Sequence, residues 1–239
     1  MRSFRRVVVV LVVLVGLLVA VDRAAAWAAG EVVASQAADE LASSNVESAP
    51  PEADVGGVPF LTQVVSGEYE DVTLRLREVG SGSLRLPELR LTATGVTAPA
   101  SVLIEGSGPI HADRVDGTAV VGYSSVAELA GVDGLELSAA GAGEGVAVRA
   151  PVEVLGVQVT LSGTATVGAA DNVIQLRVTE LAAEELPEGA ASQVERLAQQ
   201  LSYDVQLPEL PYGLAVESVR PTASGISVSF SAVDVPLSG

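Results

Sequence analysis

The feature that most constrains the fold is an alternation of apolar and polar residues that begins near residue 67 and recurs almost to the end of the chain. Its first instance places Val72, Leu74 and Leu76 between polar neighbours. Successive side chains of a strand point to opposite faces, so this alternation predicts antiparallel sheets with one buried face. Turn-forming Gly, Asn and Asp residues separate the segments. Further predicted strands are 84–93, 101–105, 117–123, 135–139, 145–154, 157–167, 173–178, 214–220 and 226–232.

Helical spacing of apolar residues occurs in only a few places. Ala28–Leu41 is predicted to be an amphipathic helix, and Gly189–Leu201 carries apolar residues along one helical face. Ser125 followed by Glu128 has the spacing of a capping box, which predicts a short helical turn through Leu129. The residues therefore predict an α+β protein, with a long meandering sheet, one internal helix and one helix in front of it.

The N-terminus reads as an export leader. Three arginines in the first six residues precede the apolar run Val7–Val21. Ala24-Ala25-Ala26 and Ala26-Trp27-Ala28 both have the spacing of small residues that is typical of signal-peptide cleavage sites. The apolar run is shorter than the roughly 20 residues expected of a spanning helix, although the following alanines can extend it. Export is therefore expected, and both cleavage and retention as an anchor remain open.

The chain divides into three predicted parts. Residues 1–26 form the signal peptide or N-terminal anchor, and residues 27–54 form the amphipathic helix and a linker that contains Pro50-Pro51. Residues 55–239 form a β-rich domain. The linker is rich in Ser, Asn, Glu and Pro, a composition that ends helices.

Composition excludes several classes of function. The chain has no cysteine, which excludes disulfides and thiolate metal sites. All 13 of its basic residues are arginine, and the net charge is −17. Without the first 26 residues the net charge is −20. So acidic a chain is not expected to bind the phosphates of nucleic acid, nor to adsorb to an anionic membrane through a polybasic patch. Any contact with lipid must therefore be apolar.

Residues suited to catalysis are scarce. His111 is the only histidine, so a Ser-His-Asp mechanism would have to use it, and the chain has no Gly-x-Ser-x-Gly elbow. Carboxylate pairs such as Asp113 with Asp116, or Glu184 with Glu185, are expected by chance in so acidic a chain. We therefore predict that the protein is not an enzyme and that it needs no metal or other cofactor.

Three segments, in order, resemble one known family. Val-Pro-Phe-Leu-Thr-Gln at 58–63, Ile-His-Ala-Asp-Arg-Val-Asp-Gly-Thr at 110–118, and Leu-Pro-Tyr-Gly-Leu at 210–214 are similar to segments of the LmeA-like phospholipid-binding proteins of actinobacteria. The resemblance covers about residues 20–237. The chain departs from the family pattern around 99–106, where the loop differs.

The resemblance implies a fold similar to tubular lipid-binding modules, in which a curved antiparallel sheet of many short strands wraps around one or two helices and leaves an apolar groove. It implies an exported, membrane-associated protein of the cell envelope that binds or transfers phospholipid without covalent chemistry. It also implies a role in lipoglycan (lipomannan) assembly, with an envelope glycosyltransferase as partner. A non-catalytic scaffold or adhesive β-domain is the alternative that the residues leave open.

A lipid carrier needs an apolar wall. Burying a methylene contributes about 0.8 kcal/mol, so two acyl chains of about thirty methylenes gain roughly 24 kcal/mol, whereas an exposed ion pair supplies at most about 1 kcal/mol. Each candidate residue also has a structural interpretation that involves no lipid. The strand residues can pack an ordinary core, the residues of 58–63 can form a plug on the sheet, and Tyr212 can belong to a strand edge shaped by proline. The candidate lipid-binding residues are Val58, Phe60, Leu61, Val72, Leu74, Leu76, Leu89, Leu91, Val157, Val159, Leu161 and Tyr212.

Overall fold

The computed structural model describes three helices and eleven strands, within residues 2–81, 84–99, 101–102, 108–131, 133–141, 145–154, 157–170, 173–183, 203–206 and 213–238. The helices are α1 (Arg2–Ser43), α2 (Phe60–Ser66) and α3 (Tyr123–Ala130). The strands are β1 (Glu52–Val55), β2 (Glu68–Ser81), β3 (Leu84–Thr97), β4 (Ile110–Gly122), β5 (Glu136–Ala140), β6 (Gly145–Val154), β7 (Val157–Ala170), β8 (Val173–Ala183), β9 (Tyr203–Gln206), β10 (Ala215–Thr222) and β11 (Gly225–Ser238).

The strands form two antiparallel sheets, and the protein is α+β as predicted. The large sheet has six strands in the order β1-β2-β3-β4-β11-β10, and the small sheet has five in the order β5-β6-β7-β8-β9. Neighbours in the small sheet are consecutive along the chain. In the large sheet, β4 pairs with β11, which places the C-terminal strands β11 and β10 beside the first four strands.

Helix α1 is continuous from the leader into the folded domain. Residues 4–21 are exposed along their whole length, and Asp22, Ala26 and Ala29 are buried against the domain. At Gly30 the helix lies so close to β1 that a Cβ would be 2.5 Å from the carbonyl oxygen of Ala53. The predicted helix 28–41 is therefore the second half of a longer helix.

The segment after α1 lies along the edge of β2. Glu47 and Gly80 exchange backbone hydrogen bonds of 3.0 and 2.8 Å, and the Ala49 N–H donates to the Arg77 carbonyl at 2.9 Å. Because these bonds continue into the pairing of β1 with β2, the end of α1 is fixed near the end of β2. Strand β2 therefore starts beside α2 and ends near the C-terminal end of α1, with β1 between them.

Two buried clusters hold the elements together. The first joins α1, α2 and the large sheet through residues that include Ala29, Phe60, Tyr69 and Val115. The second joins the large sheet to β6 through Val146, Val219 and Ile226, with Tyr123 and Val126 of α3 packed against it. The small sheet thus packs on the β10–β11 side of the large sheet.

Several local predictions differ from the structure. α3 begins at Tyr123, two residues before the predicted cap, and Ser125 makes no cap because its hydroxyl accepts the Arg85 N–H instead. Ser101 and Val102, predicted to be strand, are helical, and the rest of 103–105 lies outside the described residues. The predicted helix Gly189–Leu201 also lies outside them. Strand β9 is a four-residue element that the alternation did not indicate.

Candidate functional site

The apolar face of the large sheet consists of cross-strand rows in which every residue is apolar. The strand register places each residue beside its neighbour in the next strand, with side chains on one face. The first row is Val55, Val72, Ala93, Val115 and Ala232; the second row is Ala53, Leu74, Leu91, Gly117 and Phe230; the third row is Leu76, Leu89, Ala119, Val228 and Val219.

The first row is covered by the helices. Ala26 and Ala29 of α1 and Phe60 of α2 belong to the same buried cluster as Val55 and Val115. Phe60 is 3% exposed, and its ring centroid lies 6.3 Å from that of Tyr69. Phe60 is therefore a plug that fixes α2 to the sheet.

The second and third rows contain large apolar side chains that are only half-buried. Leu74, Leu89 and Leu91 are partly accessible, as is Phe230. The Phe230 ring occupies the space that a Cβ on Gly117 would fill, so the glycine allows the ring to lie flat across β4. The result is an aliphatic and aromatic surface beside the part of the sheet that α1 and α2 cover.

The opposite face of the same sheet is polar. Thr73 and Thr92 are hydrogen-bonded through their hydroxyls at 3.2 Å. The Arg114 guanidinium binds the Asp116 carboxylate, with Nε 2.8 Å from both oxygens, and reaches Glu217 at 3.1 Å. The two faces thus differ sharply in polarity, and only the apolar face suits acyl chains.

The junction between α1 and α2 is held by charged and polar groups. An Asp22 oxygen (Oδ1) accepts the Leu61 N–H at 2.9 Å, and Arg23 Nη2 donates to the Gly57 carbonyl at 2.8 Å. Gln63 joins the loop to β2, because its amide donates to Gly56 O at 3.0 Å and accepts the Glu70 N–H at 2.7 Å. These bonds orient α2 against the helix that leads from the leader.

Burial and hydrogen bonding shift the pKa of several groups near the site. The hydrogen bond from the Leu61 N–H lowers the pKa of Asp22 below its usual 3.8, and Arg23 lowers it further, although burial acts in the opposite direction. Burial raises the pKa of Tyr69 and of Tyr123, whose hydroxyl donates to Thr222 O at 2.8 Å. Asp22 is therefore ionised, and both tyrosines are neutral, near neutral pH.

Part of the exposed surface of α2 is apolar as well. Leu61 is 42% exposed and Val65 is 90% exposed, and Val58 just before the helix is 72% exposed. Leu61 and Val65 are four residues apart, so they lie on one side of the helix. α2 contains no charged residue.

A cavity of about 590 Å³ lies between α3 and strands β5–β7. Its lining is mixed, with Leu137 and Val148 beside Ser138 and Ser162. Glu136 and Arg149, which pair across β5 and β6, also line it. A cavity of this size fits a small ligand, but the charged and polar side chains in its lining make it a poorer place for acyl chains than the large sheet.

The candidate residues from the sequence fall into separate places. Leu74, Leu89, Leu91 and Val72 are half-buried on the apolar face, and Leu76 is buried there. Val159 and Leu161 are 4% and 2% exposed in β7 of the small sheet, away from the three rows. Val157 begins β7, but its side chain and the whole of Tyr212 lie outside what the structure describes.

Sequence reasoning missed Phe230, Val228 and Gly117 as parts of this face. The alternation in 226–232 indicated that Val228 and Phe230 share a face, but it does not indicate which strand lies beside them. Only the pairing of β4 with β11 places Phe230 opposite Gly117 and in the same cross-strand row as Leu91.

The residues considered for catalysis are dispersed. His111 Nε2 lies 3.1 Å from the carboxylate of Asp234, which is 89% exposed. Asp116 is paired with Arg114, while the Asp113 carboxylate lies over Gly95. Within the described ranges, no group of three His, Asp or Glu side chains is arranged to hold a metal ion.

The fold and this face define an α+β protein with an apolar sheet surface beside a membrane-length helix. The chain belongs to the LmeA-like phospholipid-binding family, whose match covers residues 20–231. This match bears out the resemblance drawn from the three segments. No curated protein matches the chain.

Proposed function

We propose that this protein binds phospholipid non-covalently, with the acyl chains along the second and third rows of the large sheet. The observation that carries the proposal is the half-burial of Leu74, Leu89 and Leu91 in rows of apolar residues that also include Phe230. Membership of a phospholipid-binding family supports lipid as the ligand. Aliphatic walls suit acyl chains because each buried methylene contributes about 0.8 kcal/mol.

The proposal includes the place of action. The arginines at the N-terminus and the exposed apolar helix that follows them support export, with the domain on the outer side of the cytoplasmic membrane. There the protein holds or passes phospholipid and supports envelope maintenance or lipoglycan assembly, with an envelope glycosyltransferase as partner. This last part rests on the family resemblance alone.

Photo-crosslinking of the full chain tests where lipid binds. The protein is reconstituted into vesicles that contain a phospholipid with a diazirine in one acyl chain, and crosslinked peptides are mapped by mass spectrometry. We expect crosslinks in β2, β3 and β11 at the second and third rows, in addition to the exposed part of α1. Crosslinks confined to α1 and α2 would overturn the proposal and favour a scaffold or adhesive role.

A pair of variants sharpens this test. Leu91→Glu places a charge in the second row, whereas Thr118→Glu places the same charge on the opposite face, where residue 118 is exposed and pairs with Arg90. We expect crosslinking of the sheet to fall at least tenfold for L91E and to remain within twofold of wild type for T118E. Circular dichroism of both variants verifies that the sheet is intact.

A further inference from the structure

Helix α1 joins the leader to the domain without a break. Both predicted cleavage sites lie inside this helix, at residues whose neighbours pack on the sheet. Cleavage there would remove Asp22, which is 5% exposed and accepts the Leu61 N–H. It would also remove Arg23, which holds the Gly57 carbonyl. The domain therefore uses the end of the leader as part of its own structure.

The exposed part of α1 has the dimensions of a membrane-spanning segment. The stretch Phe4–Val21 is apolar apart from the arginines near its start, and none of it is buried. At 1.5 Å per residue the uncharged run Val7–Val21 is about 23 Å long, and the whole exposed stretch is about 27 Å. Because arginine side chains can extend toward the headgroups, the longer figure applies, and it is slightly short of the roughly 30 Å of a bilayer's hydrocarbon core. Asp22 and Arg23 follow directly, so these charged groups stand where the hydrocarbon ends.

The contacts of Asp22 and Arg23 fix the position of α2 along the axis of α1. Because Asp22 binds the first turn of α2 and Arg23 binds the loop before it, α2 lies beside the end of the apolar stretch. Val58, Leu61 and Val65 are exposed there, and α2 carries no charge that would have to be dehydrated. Trp27, the only tryptophan, is 71% exposed and lies just beyond the end of the apolar stretch. Membrane proteins are enriched in tryptophan at the corresponding position, the membrane–water interface.

We propose that α1 is retained as a membrane anchor and that α2 lies in the outer interface of that membrane. Val58, Leu61 and Val65 contact lipid at the boundary between headgroups and acyl chains. Continuity with the spanning stretch identifies the occupant of this apolar patch as the bilayer itself rather than a second protein. The inference rests on the export that the proposed function includes, and it concerns a different surface from the sheet face.

The absence of cysteine from the chain allows a site-specific test. An environment-sensitive fluorophore is attached to Val65→Cys or, as a control, to Ser44→Cys in the full chain reconstituted in vesicles. Residue 44 is exposed and follows α1, about 33 Å along the helix axis from residue 22. We expect a blue-shifted emission and strong quenching by spin-labelled lipid at position 65, and neither effect at position 44. Equal emission and quenching at both positions would overturn the docking of α2.

Two further variants separate docking from folding. Val65→Glu charges the apolar side of α2, and Ser66→Glu places the same charge one residue away on its polar side, where residue 66 is also exposed. With the fluorophore on Val58→Cys, we expect quenching by lipid to fall at least threefold for V65E and to persist for S66E. Equal quenching in both variants would contradict the proposal. If V65E disrupts only the docking of α2, crosslinking of the diazirine phospholipid to the sheet at Leu91 persists. Lipid binding on the sheet and docking of α2 on the membrane are therefore tested independently.

Retention of α1 is tested on the protein produced by secretion in a bacterial host. We expect the membrane fraction to contain a chain whose intact mass includes residues 4–21. A soluble chain that begins at residue 27 or 29, with the sheet still folded, would overturn the anchor.

Discussion

At the residue scale, Gly117 shows how a single missing side chain shapes the apolar face. Gly117→Ala places a methyl group where the Phe230 ring lies, so the ring must move from the second row. Overpacking of this kind costs about 1–3 kcal/mol. We expect the free energy of unfolding to fall by that amount and the crosslinking at Phe230 to decrease, as measured by chemical denaturation and by mass spectrometry.

Gly168 provides the matched control for that prediction. It lies in β7 with no atom within 4 Å of the position that its Cβ would occupy. Gly168→Ala should therefore be neutral or stabilising by up to about 1 kcal/mol, because alanine loses less conformational entropy on folding. If both substitutions gave the same change in stability, the packing of Phe230 over Gly117 would not be its cause.

Asp22 provides a prediction about pH. Its pKa is lowered by the Leu61 N–H and Arg23, so its contribution to stability is present above the usual value of 3.8 and is lost as the pH falls through the lower, folded-state pKa. Wild type should therefore have a higher Tm than Asp22→Asn at neutral pH, and this difference should vanish in acid. Thermal unfolding between pH 2 and pH 7 measures it. A difference that stays constant with pH would contradict this role of the carboxylate.

At the scale of elements, a buried hydroxyl of α3 binds the large sheet, in addition to the packing and the Tyr123 hydrogen bond described above. Ser125 is 1% exposed and accepts the Arg85 N–H of β3 at 2.9 Å. Ser125→Ala leaves that N–H without its acceptor. Because this hydrogen bond is only part-buried, we expect a loss near the lower end of the roughly 1–3 kcal/mol that a buried unpaired group costs. Chemical denaturation should show this loss. The neighbouring exposed residue serves as control, since Ser124→Ala should change stability by no more than about 0.5 kcal/mol.

The same elements show what the sequence can predict. Period-two alternation located β2, β3, β6 and β7 well, because each long strand has one apolar face to repeat. The interpretation of Ser125 as a helix cap was wrong because a cap signature records only local spacing, whereas this hydroxyl is used by a strand 40 residues away.

Helix α1 illustrates the same limit in another way. The charged pair Asp22-Arg23 and the small residues after it have the composition of a boundary between leader and domain. In the structure that pair is a contact between α1 and the loop and helix at 57–61. The pairing of β4 with β11, which completes the apolar face, likewise joins residues about a hundred positions apart, a distance over which periodicity carries no information.

At the scale of the whole molecule, charge governs how closely the domain approaches a membrane. The residues from Asp22 onward carry a net charge of −20. An anionic leaflet therefore repels the domain, and the Debye length falls from about 30 Å at 0.01 M salt to about 10 Å at 0.1 M. We expect lipid quenching of the fluorophore at position 65 to increase with salt in anionic vesicles and to stay constant in zwitterionic ones. A loss of quenching with added salt would show that attraction by cations holds α2 to the membrane.

The continuity of α1 limits how far this protein can act. The part of the helix beyond Val21 is about 33 Å long and has no flexible hinge between the bilayer and the sheet that it supports. On the inference that the helix stays in the membrane, the protein diffuses in two dimensions, and its encounters depend on surface density instead of bulk concentration. Such a molecule delivers its cargo to neighbours that stand in the same plane and within one domain's height, and it does not cross a wide aqueous space.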